Sequence, residues 1–479
     1  MATLRLRARD TVLCISPSWR LRNDKGRVIA HKYSTDETGW HVLTPETGIA
    51  LAFFDGASTL NSIAQQLQEA ADISELAARR ILTRTVAAFI KGSDPVLCEA
   101  RNLVAGSWPV YRPEDMIVPP SLFEPDKRLD APLSLVLMPF NQCRTDCLYC
   151  YAERKPIPRR NLLSSERWAE ILSEGAAAGT NIAVFSGGDP MLYPDILELL
   201  DVLIHFDYAF LVSTKSPVDA SFAKALAAAG IGDRFFQISL DAWNSDLADF
   251  MAGQRGYHRT AVRSVENLVA AGIRVRLNAV CTPHNYKDIP SLFEEARHLG
   301  VAKATAAGYG RSMYRHDDGK FLTPGQMDWL RNEIRQIDDR QEDFEARFNG
   351  SVIDYNLETT EEKWGRWSNR SSCSGGRSSL TICADGRVLL CEQMPQQDQY
   401  TVGNLREQGL LEVWNSPRLR ELAFPGREHF QSTACEGCPE FDACHGGLGY
   451  CFRDALSAYG SVYQPPPNCP KAPPSPRFA

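Results

Sequence analysis

The chain has 479 residues, 44% apolar and 23% charged, ordinary proportions for a globular protein with room for roughly two to four domains. Its net charge of −7, without any block of about five like charges, argues against a nucleic-acid partner. No run of about 18 apolar residues occurs, and Arg5, Arg7, Arg9 and Asp10 interrupt any secretory apolar segment. The fourteen cysteines therefore read as reduced, metal-binding thiols of a cytoplasmic protein with no membrane partner.

Residues 1–105 read as a small α+β unit. Arg27–Tyr33 and Trp40–Leu43 are expected as two strands of a hairpin. Thr44 suits the N-cap of a helix that starts at Pro45 and is closed by Gly56. Leu60, Ile63 and Leu67 mark the apolar face of a second helix, and Leu82, Val86 and Phe89 that of a third. Residues 106–132, which include the Pro-bearing stretch Val118–Pro132, read as a linker.

From Leu133 the pattern changes to alternating strands and helices. Strands are expected at Leu133–Met138, Ile182–Phe185, Tyr208–Val212, Phe235–Leu240, Arg274–Val280 and Lys303–Ala307. Helices such as Ser165–Ala178, Tyr193–His205 and Thr260–Ala271 lie between them. Six βα units with apolar strands predict a parallel sheet buried on both faces, curled into a partial (βα)6 barrel of the TIM type over residues 133–325. Sites on such folds lie at the C-terminal ends of the strands. Residues 326–372 read as a charged, partly helical connector packed on the barrel. Residues 373–470 are cysteine-dense, and 471–479 form a Pro-rich tail.

Cys143, Cys147 and Cys150 follow the first strand directly, in C-x₃-C-x₂-C spacing. Three thiolates hold three irons of a cubane [4Fe–4S] cluster and leave the fourth iron open, a vacancy that points to chemistry rather than electron storage. A zinc site needs a fourth Cys or His, and none lies between Cys150 and Leu200. Polar runs follow the later strands: Ser186-Gly187-Gly188-Asp189-Pro190, then Ser213-Thr214-Lys215, then Ser239-Leu240-Asp241. Asn278 lies on the fifth strand and Gly310-Arg311 after the sixth. The C-terminal block contains Cys373, Cys383, Cys391, Cys435, Cys438, Cys444, Cys451 and Cys469. Cys14, Cys98 and Cys281 lie outside it without partner spacing, so the block is large enough for two sets of four ligands. Zinc ribbons are the alternative for this block.

The three-cysteine motif, with aromatic Tyr149 before its last cysteine and a βα barrel around it, resembles that of the radical S-adenosylmethionine superfamily. The resemblance implies that the amino and carboxylate groups of S-adenosylmethionine occupy the open iron. One electron then cleaves the sulfonium, and a 5′-deoxyadenosyl radical abstracts hydrogen from the substrate. Ser186-Gly187-Gly188-Asp189-Pro190 resembles the family's GGEP motif, with Asp189 in place of Glu. The family pattern further implies cofactor contacts from Tyr149, from Ser213, Thr214, Ser239 and Asp241 toward the ribose, and from Asn278. Arg311 would pair with the methionine carboxylate.

The C-terminal block resembles the SPASM extension, which holds two auxiliary [4Fe–4S] clusters, making three in all. By that analogy Cys435, Cys438, Cys444 and Cys469 hold the second auxiliary cluster. Cys373, Cys391 and Cys451 hold the first, with Cys383 as fourth ligand or, alternatively, with an iron left open. Six residues instead of the family's three separate Cys444 from Cys451. Glu392 stands where some relatives carry a base, and Cys281 where epimerases need a hydrogen-atom donor. Residues 1–105 resemble the PqqD-like peptide-recognition element, a winged-helix-like module whose sheet edge accepts an extended leader peptide.

The combination resembles maturases of ribosomally made, post-translationally modified peptides. It implies a precursor-peptide partner, an electron donor such as flavodoxin or ferredoxin, and an oxidative product, a crosslink above all. Related readings are oxidation of Ser or Cys in a protein, or assembly of a peptide-derived redox cofactor. A non-radical iron–sulfur electron carrier is the reading from another class.

Overall fold

The computed structural model describes residues 11–36, 39–123, 128–232, 234–339, 343–350 and 359–474. The chain divides into two compact units, one ending at Ala131 and the other starting at Pro132.

The first unit holds β1 (Val12–Ile15), β2 (Trp19–Asn23), β3 (Val28–Lys32), β4 (Trp40–Leu43), β5 (Asp55–Thr59) and β6 (Leu97–Glu99). Its helices are α1 (Pro45–Ala52), α2 (Leu60–Ala71) and α3 (Glu75–Phe89). The strands form two antiparallel sheets, ordered β5-β1-β6 and β2-β3-β4. The β3–β4 hairpin and the Thr44 cap on α1 follow the sequence pattern. Gly56 does not close α1. The helix stops at Ala52 because Phe54 turns into the core and Asp55 accepts the backbone N–H groups of Ala57 and Ser58, which starts β5. Ile63 and Leu67 on α2, and Leu82 and Val86 on α3, are buried as their spacing requires.

The second unit is built on one sheet. Its strands are β7 (Ser134–Leu137), β8 (Ile182–Phe185), β9 (Ala209–Thr214), β10 (Phe235–Ser239), β11 (Arg274–Cys281), β12 (Lys303–Gly308), β13 (Glu345–Asn349), β14 (Ser379–Ile382), β15 (Arg387–Leu389) and β16 (Gly403–Asn404). They are ordered β13-β12-β11-β10-β9-β8-β7-β14-β15-β16, and β7 to β13 run parallel. The helices between β7 and β13 are α4 (Ser165–Ala177), α5 (Ile196–His205), α6 (Ala220–Ala228), α7 (Ser245–Ala252), α8 (Tyr257–Ala270), α9 (Ile289–His298) and α10 (Pro324–Asp338). Leu135, Leu137, Phe185, Phe210 and Val212 point into a core shared with Trp168, Leu199 and Leu268 of the helices.

Two features depart from the expected six-unit barrel. The segment read as a connector carries a seventh unit. Met327, Leu330, Ile334 and Ile337 bury one face of α10, and β13 pairs parallel to β12. At the other edge, β14 from the cysteine-rich segment pairs parallel to β7, so this segment extends the sheet rather than standing apart. Among the described residues the sheet is open, with β13 and β16 at its edges. No described helix is long and apolar enough to cross a membrane.

Candidate active site and cysteine centres

A cavity of about 380 Å³ lies at the C-terminal ends of β7 to β11, a size suited to a small organic ligand. Its floor is Val136, Val184 and Leu211, which alternate with the core-facing Leu135, Ala183 and Phe210. Its walls include Cys143, Cys147, Tyr149, Ser186, Gly188, Asp189, Ser213, Thr214, Ser239, Asn278 and Glu392. Eleven of the expected site residues thus share one chamber.

Cys143 and Cys147 reach the cavity from the loop after β7. Burial pushes the Cys143 thiol up to about 12, helped by the charge of Asp189 and by the neighbouring Cys150 and Cys147. Cys150 also acts to raise Cys147, so the three thiols sit close enough to share a metal centre, and a cluster would take them as thiolates. Among the described residues no three His, Cys, Asp or Glu side chains meet at one point, as a single ion would need. A cubane, which takes one thiolate per iron, has no such requirement, and the donor set fits it.

Gly188 holds this loop in place. Its N–H donates to Phe140 O at 3.0 Å, and the N–H of Asp189 donates to Gln142 O at 2.8 Å. A Cβ on Gly188 would stand 2.5 Å from the backbone of Asn141 and Gln142, so only glycine permits the approach. The Asp189 carboxylate is turned sideways. It accepts from Thr214 Oγ1 at 2.7 Å and from the N–H groups of Lys215 and Met191 at 2.9 and 3.1 Å, tying the ends of β8 and β9 together.

Asp241 departs from its expected role. It does not line the cavity, and both of its oxygens are engaged. Oδ1 accepts from Val280 N at 2.9 Å, and Oδ2 accepts from Tyr149 Oη at 2.7 Å and Lys215 Nζ at 2.8 Å. A carboxylate so occupied is structural rather than a ribose ligand. Lys215, to which the sequence reading assigned no role, lines the cavity and also donates to Ser239 O at 3.0 Å. Burial acts to lower its ammonium, but Asp241 outweighs this and keeps it charged.

Gln237 was also missed; it donates to Ser213 Oγ at 2.8 Å from within the chamber wall. A polar side chain in an otherwise apolar parallel strand was the available signal. Tyr151, also unassigned, lines the chamber with its hydroxyl 2.9 Å from Ser186 Oγ.

Two further expectations place differently. Cys281 is fully buried in the core and does not line the cavity, because the alternation of β11 turns it to the helix side. Arg311 lies outside the lining, with its guanidinium 5.1 Å from the centre of the Phe321 ring.

Glu392 lines the cavity, with Oε2 3.8 Å from Cys391 Sγ. Asn141 Nδ2 donates to Gln396 Oε1 at 2.9 Å, joining the loop after Glu392 to the three-cysteine loop.

The remaining cysteines form two groups. Cys435, Cys438, Cys444 and Cys469 line one small cavity of about 30 Å³ with Trp367 and Phe441. Burial pushes Cys435 up to about 12, and the other three thiols add to it. Arg370 donates to Cys444 Sγ at 3.4 Å and Lys471 to Cys438 Sγ at 3.3 Å, cationic partners suited to thiolate ligands. The second group is Cys373, Cys391 and Cys451. Burial raises all three, and the Cys373 thiol contributes to the rise at both of the others. The longer segment after Cys444 forms a π-helical turn, Ala443–Leu448, whose carbonyls accept from the Arg377 guanidinium. Leu448 O accepts from Cys373 N at 2.9 Å. The three extra residues therefore fold into a turn that brings Cys451 beside Cys373.

Cys383 does not join this group. It lies at the turn end of the β14–β15 hairpin, whereas Cys373 and Cys391 flank its open end, and the hairpin strands separate the two ends by about 13 Å. It is fully buried beside Met138 and Leu389, with Tyr400 packed against them, and the charges acting on its thiol are those of Asp385, Arg387 and Glu153.

A parallel α/β sheet with a three-thiol loop over a ligand-sized cavity, beside two further groups of thiols, defines an iron–sulfur enzyme that binds a small cofactor. Residues 137–296 match the Radical SAM superfamily, and residues 373–439 match SPASM, an iron–sulfur cluster-binding domain, so the chain carries a radical SAM region followed by a SPASM region. PqqA peptide cyclase of Methylobacterium sp. (strain 4-46) is 26% identical over 72% of this chain and 88% of its own length. Fe-coproporphyrin III synthase of Methanosarcina barkeri is 25% identical over 68% of this chain and 85% of its own length. In fold, Streptococcus suis SuiB bound to S-adenosylmethionine matches with a TM-score of 0.64 at 18% identity, over 95% of this chain and 99% of SuiB. SuiB bound to precursor peptide SuiA matches with the same score at 17% identity, over 96% and 98%.

Proposed function

We propose that this chain is a radical SAM peptide maturase that oxidatively modifies, and in particular crosslinks, a ribosomally made precursor peptide. The observation that carries this reading is the shared chamber, lined by the three-cysteine loop, by Gly188 and Asp189, and by Glu392. The names of the relatives support a peptide substrate. One group of relatives is a PqqA peptide cyclase, and SuiB was captured with the precursor peptide SuiA.

In this reading Cys143, Cys147 and Cys150 hold the cluster that binds S-adenosylmethionine, and Cys435, Cys438, Cys444 and Cys469 hold an auxiliary cluster. Cys373, Cys391 and Cys451 hold a third. When bound, the first cluster and S-adenosylmethionine supply a 5′-deoxyadenosyl radical. The protein's share is positional. Gly188 admits the cysteine loop, Asp189 locks the strand ends beneath it, and Ser213, Ser239 and Asn278 offer hydrogen bonds to the cofactor. Glu392, in the chamber lining beside Cys391, would accept a proton from the substrate. The first unit binds the leader peptide by strand addition, flavodoxin or ferredoxin supplies the electron, and the setting is the cytoplasm.

The test is to incubate the reduced protein and S-adenosylmethionine with a small peptide encoded beside this chain. The expected result is 5′-deoxyadenosine together with a peptide lighter by two hydrogens per bond formed. Absence of 5′-deoxyadenosine under any reductant would leave only the electron-carrier reading.

A further inference from the structure

Cys14 and Cys98 have no place in any cluster, and their spacing in the sequence pairs them with nothing. The fold pairs them. They are direct register partners on the antiparallel strands β1 and β6, 84 positions apart, with their Sγ atoms 3.7 Å from one another. Directly opposed residues on such strands have Cα atoms about 4.5–5.5 Å apart, inside the range that disulfides span. A modest rotation of each side chain closes the remaining gap to a bond of about 2.05 Å.

The two thiols are not equivalent. Cys14 is wholly buried, whereas Cys98 is half-buried and reachable from solvent. Burial raises Cys14 to about 12 and raises Cys98 as well, so the pair rests as neutral thiols and reacts only under oxidant load.

We propose that Cys14 and Cys98 form a redox-modification site, a dithiol that hydrogen peroxide converts to a disulfide joining the first and last strands of the N-terminal unit. Cys98 attacks first, because solvent reaches it and does not reach Cys14. Its sulfur cleaves the O–O bond, giving a sulfenic acid and one water. The Cys14 sulfur then attacks the sulfenic sulfur and expels the second water, so two thiols lose two hydrogens and one peroxide is reduced to two waters. The closed loop contains β2 to β5 and α1 to α3 entire, which restrains the unfolded ensemble of nearly the whole unit.

The test uses the full-length protein prepared without oxygen, titrated with hydrogen peroxide, alkylated, digested without reductant and analysed by mass spectrometry. The expected product is a crosslinked peptide holding Cys14 and Cys98, two hydrogens lighter than its parts and absent after dithiothreitol. In Cys14→Ala, Cys98 has no resolving partner and takes up dimedone, at least tenfold more than buried Cys281 in the same sample. Oxidised protein also releases fewer fragments from residues 15–97 under limited proteolysis than reduced protein does. The proposal is overturned if both cysteines remain alkylated at peroxide doses that oxidise other thiols, or if Cys98 crosslinks to a cluster cysteine instead. The wild-type crosslink decides the matter even where the variant does not fold.

Discussion

Lys215 Nζ stands 2.8 Å from Asp241 Oδ2, and the same oxygen accepts the Tyr149 hydroxyl at 2.7 Å. The pair is nearly closed off from solvent, with side-chain exposures of 10% and 1%. It links the three-cysteine loop to the ends of β9 and β10, so a buried ion pair braces this wall of the chamber.

Asp241→Ala would strand a buried ammonium and cost about 3–5 kcal/mol, whereas the apolar double variant Asp241→Leu with Lys215→Met would cost much less. Urea unfolding of the two variants against the parent measures the difference. Equal loss in both would show that packing, not charge, holds this wall.

Gly188→Ala should cost about 1–3 kcal/mol and lower the iron held at the three-cysteine loop, because the new methyl meets the backbone of Asn141 and Gln142 at 2.5 Å. Iron content and thermal melting read the two effects separately. Unchanged iron in a folded variant would mean the loop can move aside.

Cys383→Ala should leave the iron count equal to the parent at a stability cost of about 1 kcal/mol, while Cys391→Ala loses iron. The ground is the separation of Cys383 from Cys373, Cys391 and Cys451. A loss of iron in Cys383→Ala would restore it as a ligand.

Glu392→Gln should form 5′-deoxyadenosine at close to the parent rate while the modified peptide falls by about 10² or more. Chromatography of both products from one reaction makes the comparison. Full peptide yield would remove Glu392 from the proton step.

In the cluster-free protein, folding raises Cys143, Cys391 and Cys435 from the ordinary 9.0 to about 12. A thiol raised by folding adds stability that is complete below pH 9 and is lost as pH climbs toward 12. Cluster assembly reverses the sign, since each thiol must release its proton and rising pH favours assembly. The cluster-free protein should therefore melt lower at pH 10 than at pH 8, and reconstitution in weak buffer should acidify the medium. A melting point that holds or rises between those two values would contradict the first half.

The six parallel strands from Leu133 to Ala307 were legible because each carries apolar residues at least at every second position toward the core, a local property of the chain. The three-cysteine loop was legible for a similar reason, since chelation by one loop needs close spacing in sequence. The strand Glu345–Asn349 was not, because Glu345 and Arg347 make an edge strand look like a charged connector. Only its pairing with β12 makes it part of the sheet.

Composition and spacing thus settled which chemistry the chain can host: thiolates in sets, glycines at strand ends and a parallel sheet to present them. Side-chain partnership was left to the tertiary structure. Asp241 and Asp189 read alike as carboxylates at strand ends, yet one lies behind the chamber wall and the other lines it. Cys383 and Cys391 read alike as block cysteines, yet a hairpin sets them at opposite ends. Cys14 and Cys98 read as strays, yet strand register makes them partners. Contacts between residues far apart in sequence are decided by which strands pair and in what register, and that is a property of the whole packed sheet rather than of any one segment.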